Sequence, residues 1–346
     1  MASREFPKPP PVWVLGLAVW VAIGIAFTPS LDAVLERSAL PLRIGAFVLF
    51  FALYAAGIVA YVFPRPWGTI VVRLGAFLYV IAGIVVASTS GADASIGERV
   101  AAPVVAALAL GVALCVPVGE RFVDGSSYPG ERRFGFRWPR RAAGGIVLAS
   151  LVPAAAVTAL LLALGGTGLW RWLGVALVFV TWPASWLVMR QLGVLAHRWL
   201  VFAPQAVVAV DPYLLGEPMR IPLPRVLDCA VAPDDHEPGA GMLDLRASAK
   251  GDWLQMVFDD ALDPPAGRPL PKAIAVTLPG IPDRVTGVAW PVSAPSRALD
   301  AADIMNLPTN GEVLALQEKL AQRGQRRADR RTTVELDTSR VPGETD

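Results

Sequence analysis

Six long runs of apolar residues constrain this chain more than any other feature. They are Val12–Thr28, Ile44–Phe63, Thr69–Ser88, Val100–Val118, Gly145–Leu164 and Trp172–Arg190. A run of roughly 18 or more such residues is long enough to cross the hydrocarbon core as a helix, where every backbone N–H and C=O bonds within the segment. The first run follows Arg4 and Lys8, so its charged start and apolar core have the form of a signal peptide. Its length and the five runs after it favour an uncleaved first span. With 17% charged residues among 346, the chain falls short of the charge a soluble protein needs to wet its surface.

Lys and Arg concentrate on the cytoplasmic side of a bilayer, which sets orientation. The connection Gly119–Gly144 carries Arg121, Arg132, Arg133, Arg137, Arg140 and Arg141. With that loop inside, alternation puts 12 basic side chains on the inner face (Arg4, Lys8, Arg65, Arg73, the six of the loop, Arg190, Arg198) against 4 outside (Arg37, Arg43, Arg99, Arg171). Arg73, one turn into the third run, reaches back to the inner face by snorkelling. The expectation is a multi-pass protein of the inner (plasma) membrane with both termini cytoplasmic. Alanines at every fourth position, Ala18/Ala22/Ala26, Ala52/Ala56/Ala60 and Ala155/Ala159/Ala163, are candidate seams for close helix packing.

Beyond His197 the long runs give way to short alternating ones bounded by Pro, Gly and Asp. Strands are expected at Trp199–Phe202, Ala206–Val210, Met219–Pro222, Leu227–Val231, Leu243–Ser248, Trp253–Phe258, Ala273–Leu278 and Gly287–Trp290. A helix at Pro295–Met305 has proline in its first turn, and a second follows Thr309, which with Glu312 forms a capping box. The fold class is therefore a six-helix membrane bundle with a small all-β sandwich or barrel closed by a helix. The divisions are 1–197 for the bundle, 198–308 for the β-rich domain, 309–323 for an amphipathic helix and 324–346 for a disordered tail. The two cysteines, Cys115 and Cys229, fall in different divisions and make no disulfide framework.

The stretch from Arg198 to Pro212 and then from Pro218 to Val226 resembles the start of bacterial pleckstrin-homology-like domains. The whole arrangement resembles uncharacterised multi-pass membrane proteins of high-GC bacteria carrying such a domain at the C-terminus, over about residues 198–306. The resemblance implies a binding-type fold and carries no catalytic set.

Chemistry-bearing motifs are sparse. Phosphate-cradling loops, dinucleotide fingerprints, nucleophile elbows and paired zinc-type cysteines do not occur, and His197 and His236 are the only histidines. Asp234-Asp235-His236-Glu237 offers donors for a divalent cation, but adjacent ligands ahead of Pro238 and Gly239 read as a solvated turn. No metal and no cofactor are expected.

The spans hold no ionisable group near their middles. Their few hydroxyls (Ser150, Thr158, Thr181, Ser185) can bond their own backbone, and Pro153 and Pro183 are expected to kink the last two. Such broken helices form substrate sites in transporters. Arg132, Arg133, Arg137, Trp138, Arg140 and Arg141 combine basic and aromatic side chains beside a span and are candidate contacts for anionic lipid.

The charge of the loop 119–144 is +3 and that of 198–308 is −5, so electrostatic docking of domain on loop is expected, and nucleic acid is disfavoured as a partner. A second basic run, Lys319, Arg323, Arg326, Arg327, Arg330 and Arg331, lies toward the C-terminus. Function then reads as a non-enzymatic scaffold or regulator that binds a protein partner through its cytoplasmic domain. The alternative is a transporter or permease for a small uncharged or lipid-like substrate.

Overall fold

The computed structural model describes residues 10–36, 38–89, 96–125, 127–215, 217–239, 241–247, 249–262 and 284–309, with the side chains of 96–99, 140–149 and 260–261 excepted. The expected strand at Ala273–Leu278, the helix after Thr309, the tail and its basic run lie outside the described residues.

The apolar runs form α1 (Pro11–Leu35), α2 (Leu40–Val62), α3 (Pro66–Thr89), α4 (Ile96–Leu114), α5 (Val116–Asp124), α6 (Arg140–Gly165) and α7 (Leu169–Ala196). Four of them, α1, α2, α3 and α7, are long and apolar enough to cross a membrane, and α4 with α5 makes a fifth if a 62° bend is allowed within one span. In α6 the described apolar part is Ser150–Gly165. The bend is where the chain departs from expectation. A straight fourth span to Val118 is interrupted at Cys115, because Pro117 has no N–H to give the carbonyl of Ala113. By contrast, helix continues through Pro153 and Pro183.

Packing in the bundle is a matter of shape. Trp13, Trp20, Ile23 and Phe27 recur at helical spacing on one face of α1 and are buried against Phe50, Tyr61, Tyr79 and the alanines of α4. Trp20 lies flat against Gly57, where a Cβ would sit 2.0 Å from the indole. Its Nε1 donates to the carbonyl of Tyr54 at 3.0 Å, and the Tyr79 hydroxyl donates to Phe50 O at 3.0 Å.

The alanine seams run elsewhere than expected. Ala102, Ala106, Ala109 and Ala113 of α4 are at most 3% exposed, whereas of the nine proposed positions only Ala60 and Ala159 are buried. Alanine periodicity alone does not say which face has a neighbour. The α6–α7 hairpin closes at Gly174, where a Cβ would fall 2.4 Å from the Ala163 nitrogen. Most of α7, including Trp172, Phe179, Trp182 and Trp186, faces outward, as a lipid-facing helix does.

The described residues of the β region form two four-stranded sheets. The first has the order β1 (Arg132–Gly135), β2 (Trp199–Ala203), β3 (Ala206–Val210), β4 (Met219–Pro222), all antiparallel. The second has the order β5 (Val226–Ala232), β7 (Trp253–Leu262), β8 (Val285–Trp290), β6 (Met242–Asp244), with β6 parallel to β8. Their inner faces share one core with α8 (Pro295–Ile304), through Phe202, Val207, Ile221, Leu254, Met256, Trp290, Ala298 and Ala302. Strands β3 and β4 have the expected bounds, and β2, β5, β7 and β8 extend theirs by a few residues. β6 is shorter, ending at Asp244 instead of Ser248, because Asp244 turns the chain by accepting the Arg246 N–H at 2.9 Å.

Strand β1 has no counterpart in the sequence reading. It comes from the arginine-rich loop between α5 and α6, so the first sheet is assembled from both sides of the boundary drawn at 197/198.

Candidate functional site

The molecule's polar contacts gather where bundle and sheets meet. Gly135–Arg137 is stitched to both sheets. Phe136 N–H donates to Arg198 O at 3.0 Å, while Arg137 N–H donates to Pro291 O and Ser293 N–H donates to Gly135 O at 2.8 Å. Phe134 meets Phe202 edge-on at 5.8 Å, and Phe136 stacks on Trp290 at 5.9 Å. Basic charge dominates the composition of this loop, but its two phenylalanines enter the core.

Arg198, two residues past the end of α7, forms a two-pronged ion pair with Asp211. Nε and Nη2 each donate at 2.8 Å to separate carboxylate oxygens, and both side chains are fully buried. Asp211 also accepts the backbone N–H groups of Tyr213 and Leu214. Arg198 Nη1 donates to Arg137 O at 3.2 Å, and its guanidinium lies over the rings of Phe136 and Tyr213. A buried pair of this kind persists when hydrogen bonds saturate the charge, as they do here. Burial pushes the Tyr213 hydroxyl above its ordinary range, with the Arg198 guanidinium opposing that shift and Asp211 adding to it.

A third tie joins α5 to α8. Glu120, 6% exposed, accepts hydrogen bonds from Ser293 at 3.2 Å and from Arg297 in the first turn of α8.

The residues singled out for lipid are placed as follows. Arg132 forms a half-exposed pair with Asp124 at 3.7 Å. Arg133 pairs with Glu131 at 3.1 Å and lies over Tyr128 and Trp199. Arg137 donates from Nη1 to the carbonyls of Lys250 and Asp252, at 3.0 and 2.7 Å, and so ties the loop to the β region. Trp138 receives the guanidinium of Arg73 over its ring at 5.4 Å. Arg140 and Arg141 open α6, with side chains outside the described residues. The structure thus separates the set: Arg132 and Arg133 pair with acids of their own loop, while Arg137 and Trp138 line a cavity of about 190 Å³.

That cavity is bounded by Thr69 and Arg73 of α3, Gly119 and Glu120 of α5, Trp138, Arg137, Arg198 and Ser293. Arg73 belongs to it through the bend. Its Nε donates at 3.0 Å to Ala113 O, the carbonyl left without a helical donor by Pro117. Sequence reading placed Arg73 at the inner face but missed its partner; Pro117 four residues after Ala113 was the available signal.

Thr158, Thr181 and Ser185 back-bond to the carbonyls four residues earlier, as expected from sequence. Asp234 accepts the Gly251 N–H at 2.8 Å, and His236 stacks on Trp253. Among the described residues there is no group of three potential metal ligands. Both cysteines are free, and burial followed by the neighbouring Asp228 charge pushes the Cys229 thiol up to about 12.

A helical bundle with spans fit for a membrane, joined by a shared sheet to a C-terminal β region, defines a class of architecture rather than an activity. Comparison with protein families, with curated proteins and with solved structures finds no match to this chain.

Proposed function

We propose that this chain is a non-enzymatic scaffold or regulator of the inner membrane, with six spans and both termini in the cytoplasm, whose β domain binds a protein partner. The six apolar runs and the 12-to-4 distribution of basic side chains support the topology. The antiparallel run β2–β3–β4 and the closing helix α8 support a pleckstrin-homology-like reading of 198–306, with the parallel β6 as an addition to a simple meander.

One observation carries the functional reading: a strand from the loop between α5 and α6 completes the domain's first sheet. With Arg137 on the Lys250 and Asp252 carbonyls and Glu120 on Arg297, the domain is held in one pose against the bundle. A fixed pose presents a defined surface to a partner and lowers the ordering cost of binding.

Two experiments test this. Cysteines placed at Tyr128 and Asp235, both exposed, should be labelled only after the membrane is opened. Labelling of either from outside intact cells overturns the topology. Photo-crosslinking residues at Arg220, Leu227 and Asp235 in living cells should yield a discrete protein adduct that weakens when Phe136→Ala loosens the loop. Solute flux through the purified protein in vesicles, with no adduct at any of the three positions, would establish the transporter instead.

A further inference from the structure

We propose that the cavity beside Arg73 is a binding site for a single phosphate group. The inference does not depend on the scaffold reading.

Arginine has five N–H donors, and Arg73 uses one of them on Ala113 O. Among the described residues no carboxylate lies within ion-pair distance of it. The other two arginines at this cavity are taken, Arg198 by Asp211 and Arg137 by two carbonyls. Glu120 lines the same space, and its carboxylate accepts from Ser293, also in the cavity wall, and from Arg297 of α8. What remains at the cavity without a hydrogen-bond partner among the described residues is therefore the Nη fork of Arg73, held with its guanidinium over the Trp138 ring, a planar arrangement that matches two oxygens of an oxyanion.

Thr69 lies one turn earlier on the same face of α3. It is 8% exposed, and its hydroxyl bonds to none of the described residues. Other hydroxyls of these helices, such as those of Thr28 and Thr158, bond back to their own turn, so a Thr69 hydroxyl left toward the cavity stands apart. Gly119 completes the fit. A Cβ there would come 2.9 Å from Arg73 Nη2, so the missing side chain gives the guanidinium its position.

A space of about 190 Å³ admits a tetrahedral oxyanion together with its waters. Arg73 lies seven residues past the start of α3, about 10 Å along the axis of a helix long and apolar enough to cross a membrane. The phosphate can therefore belong to an anionic phospholipid or be free in solution, and the chemistry of recognition is the same.

The test uses the full-length protein in detergent, wild type beside Arg73→Gln and Thr69→Val. Binding of phosphatidylglycerol and of phosphatidylcholine is read by native mass spectrometry, and inorganic phosphate against chloride by thermal unfolding. Loss of the two charged N–H donors should weaken binding about tenfold in Arg73→Gln. Thr69→Val should weaken it about threefold, and it leaves the Arg73–Ala113 bond in place, so a folding defect in the first variant does not decide the matter. Preferential binding of phosphatidylglycerol that both variants reduce assigns the site to a headgroup. A thermal shift by phosphate alone, lost in both, assigns it to the free anion. Equal behaviour of wild type and Thr69→Val toward lipid and phosphate alike overturns the proposal.

Discussion

In the bundle, Trp20 is fixed by lack of room: Gly57 and Gly75 close on its ring, and its indole N–H makes one bond, to Tyr54 O. In the β region, Arg198 is equally buried but is fixed by directed bonds to Asp211 and to Arg137 O. The difference follows from the surroundings. Lipid gives no hydrophobic reward for bringing two apolar helices together, so association rests on van der Waals fit and small residues. Sheets in water gain from burying apolar faces, and they can carry a buried charge where the backbone supplies enough partners. The junction combines both means. Phe134 and Phe136 fill space, while β1 and the carbonyl contacts of Arg137 set register.

The sharpest break in this comparison should come from Asp211→Asn. It leaves the Arg198 charge buried without its counter-ion and should cost about 4 kcal/mol, read as loss of the cooperative unfolding transition of the β region. Survival of that transition would mean that hydrogen bonding rather than charge pairing holds the site. Next is Gly57→Ala. With a Cβ 2.0 Å from the Trp20 ring the indole must move, at about 2 kcal/mol, and thermal unfolding in detergent should shift accordingly. An unchanged transition would show that the bundle repacks freely.

A smaller effect is expected for Arg132→Gln. Its pair with Asp124 is 3.7 Å long and half exposed on the arginine side, so both the substitution and added salt should change loop–domain crosslinking little. A large change would support the electrostatic docking expected from the opposite charges of loop and domain. The smallest effect is that of pH on Cys229. Its thiol, pushed to about 12, should resist maleimide at pH 8 in the folded protein. The sign is that of a raised acid. The folded state holds the proton longer than the unfolded one, so the contribution is complete below the unfolded thiol's value and falls as pH rises from about 9 toward 12. Rapid labelling of Cys229 at pH 8 would show that the β core opens readily.

Lengths of apolar runs and the alternation of short ones determined, from sequence alone, where most helices and strands lie. These are local properties: a helix in lipid needs only enough apolar residues, and a strand with one buried face shows it in every second residue. Tertiary structure decided which faces meet. The alanine seam lies on α4 because that helix packs between α1 and α3, and no periodicity within α1 or α2 carries that information. The bend at Cys115 was half legible, since Pro117 was visible but the donor that makes the break tolerable, Arg73, comes from another helix. Strand β1 was hidden for a different reason. Arg132-Arg133-Phe134-Gly135 has little alternation of its own, and it becomes a strand because Trp199–Phe202, more than sixty residues later, offers an open edge at the right height. Pairing over that distance is a property of the assembled molecule, and it also draws Arg137, Arg198 and Arg73 around one cavity.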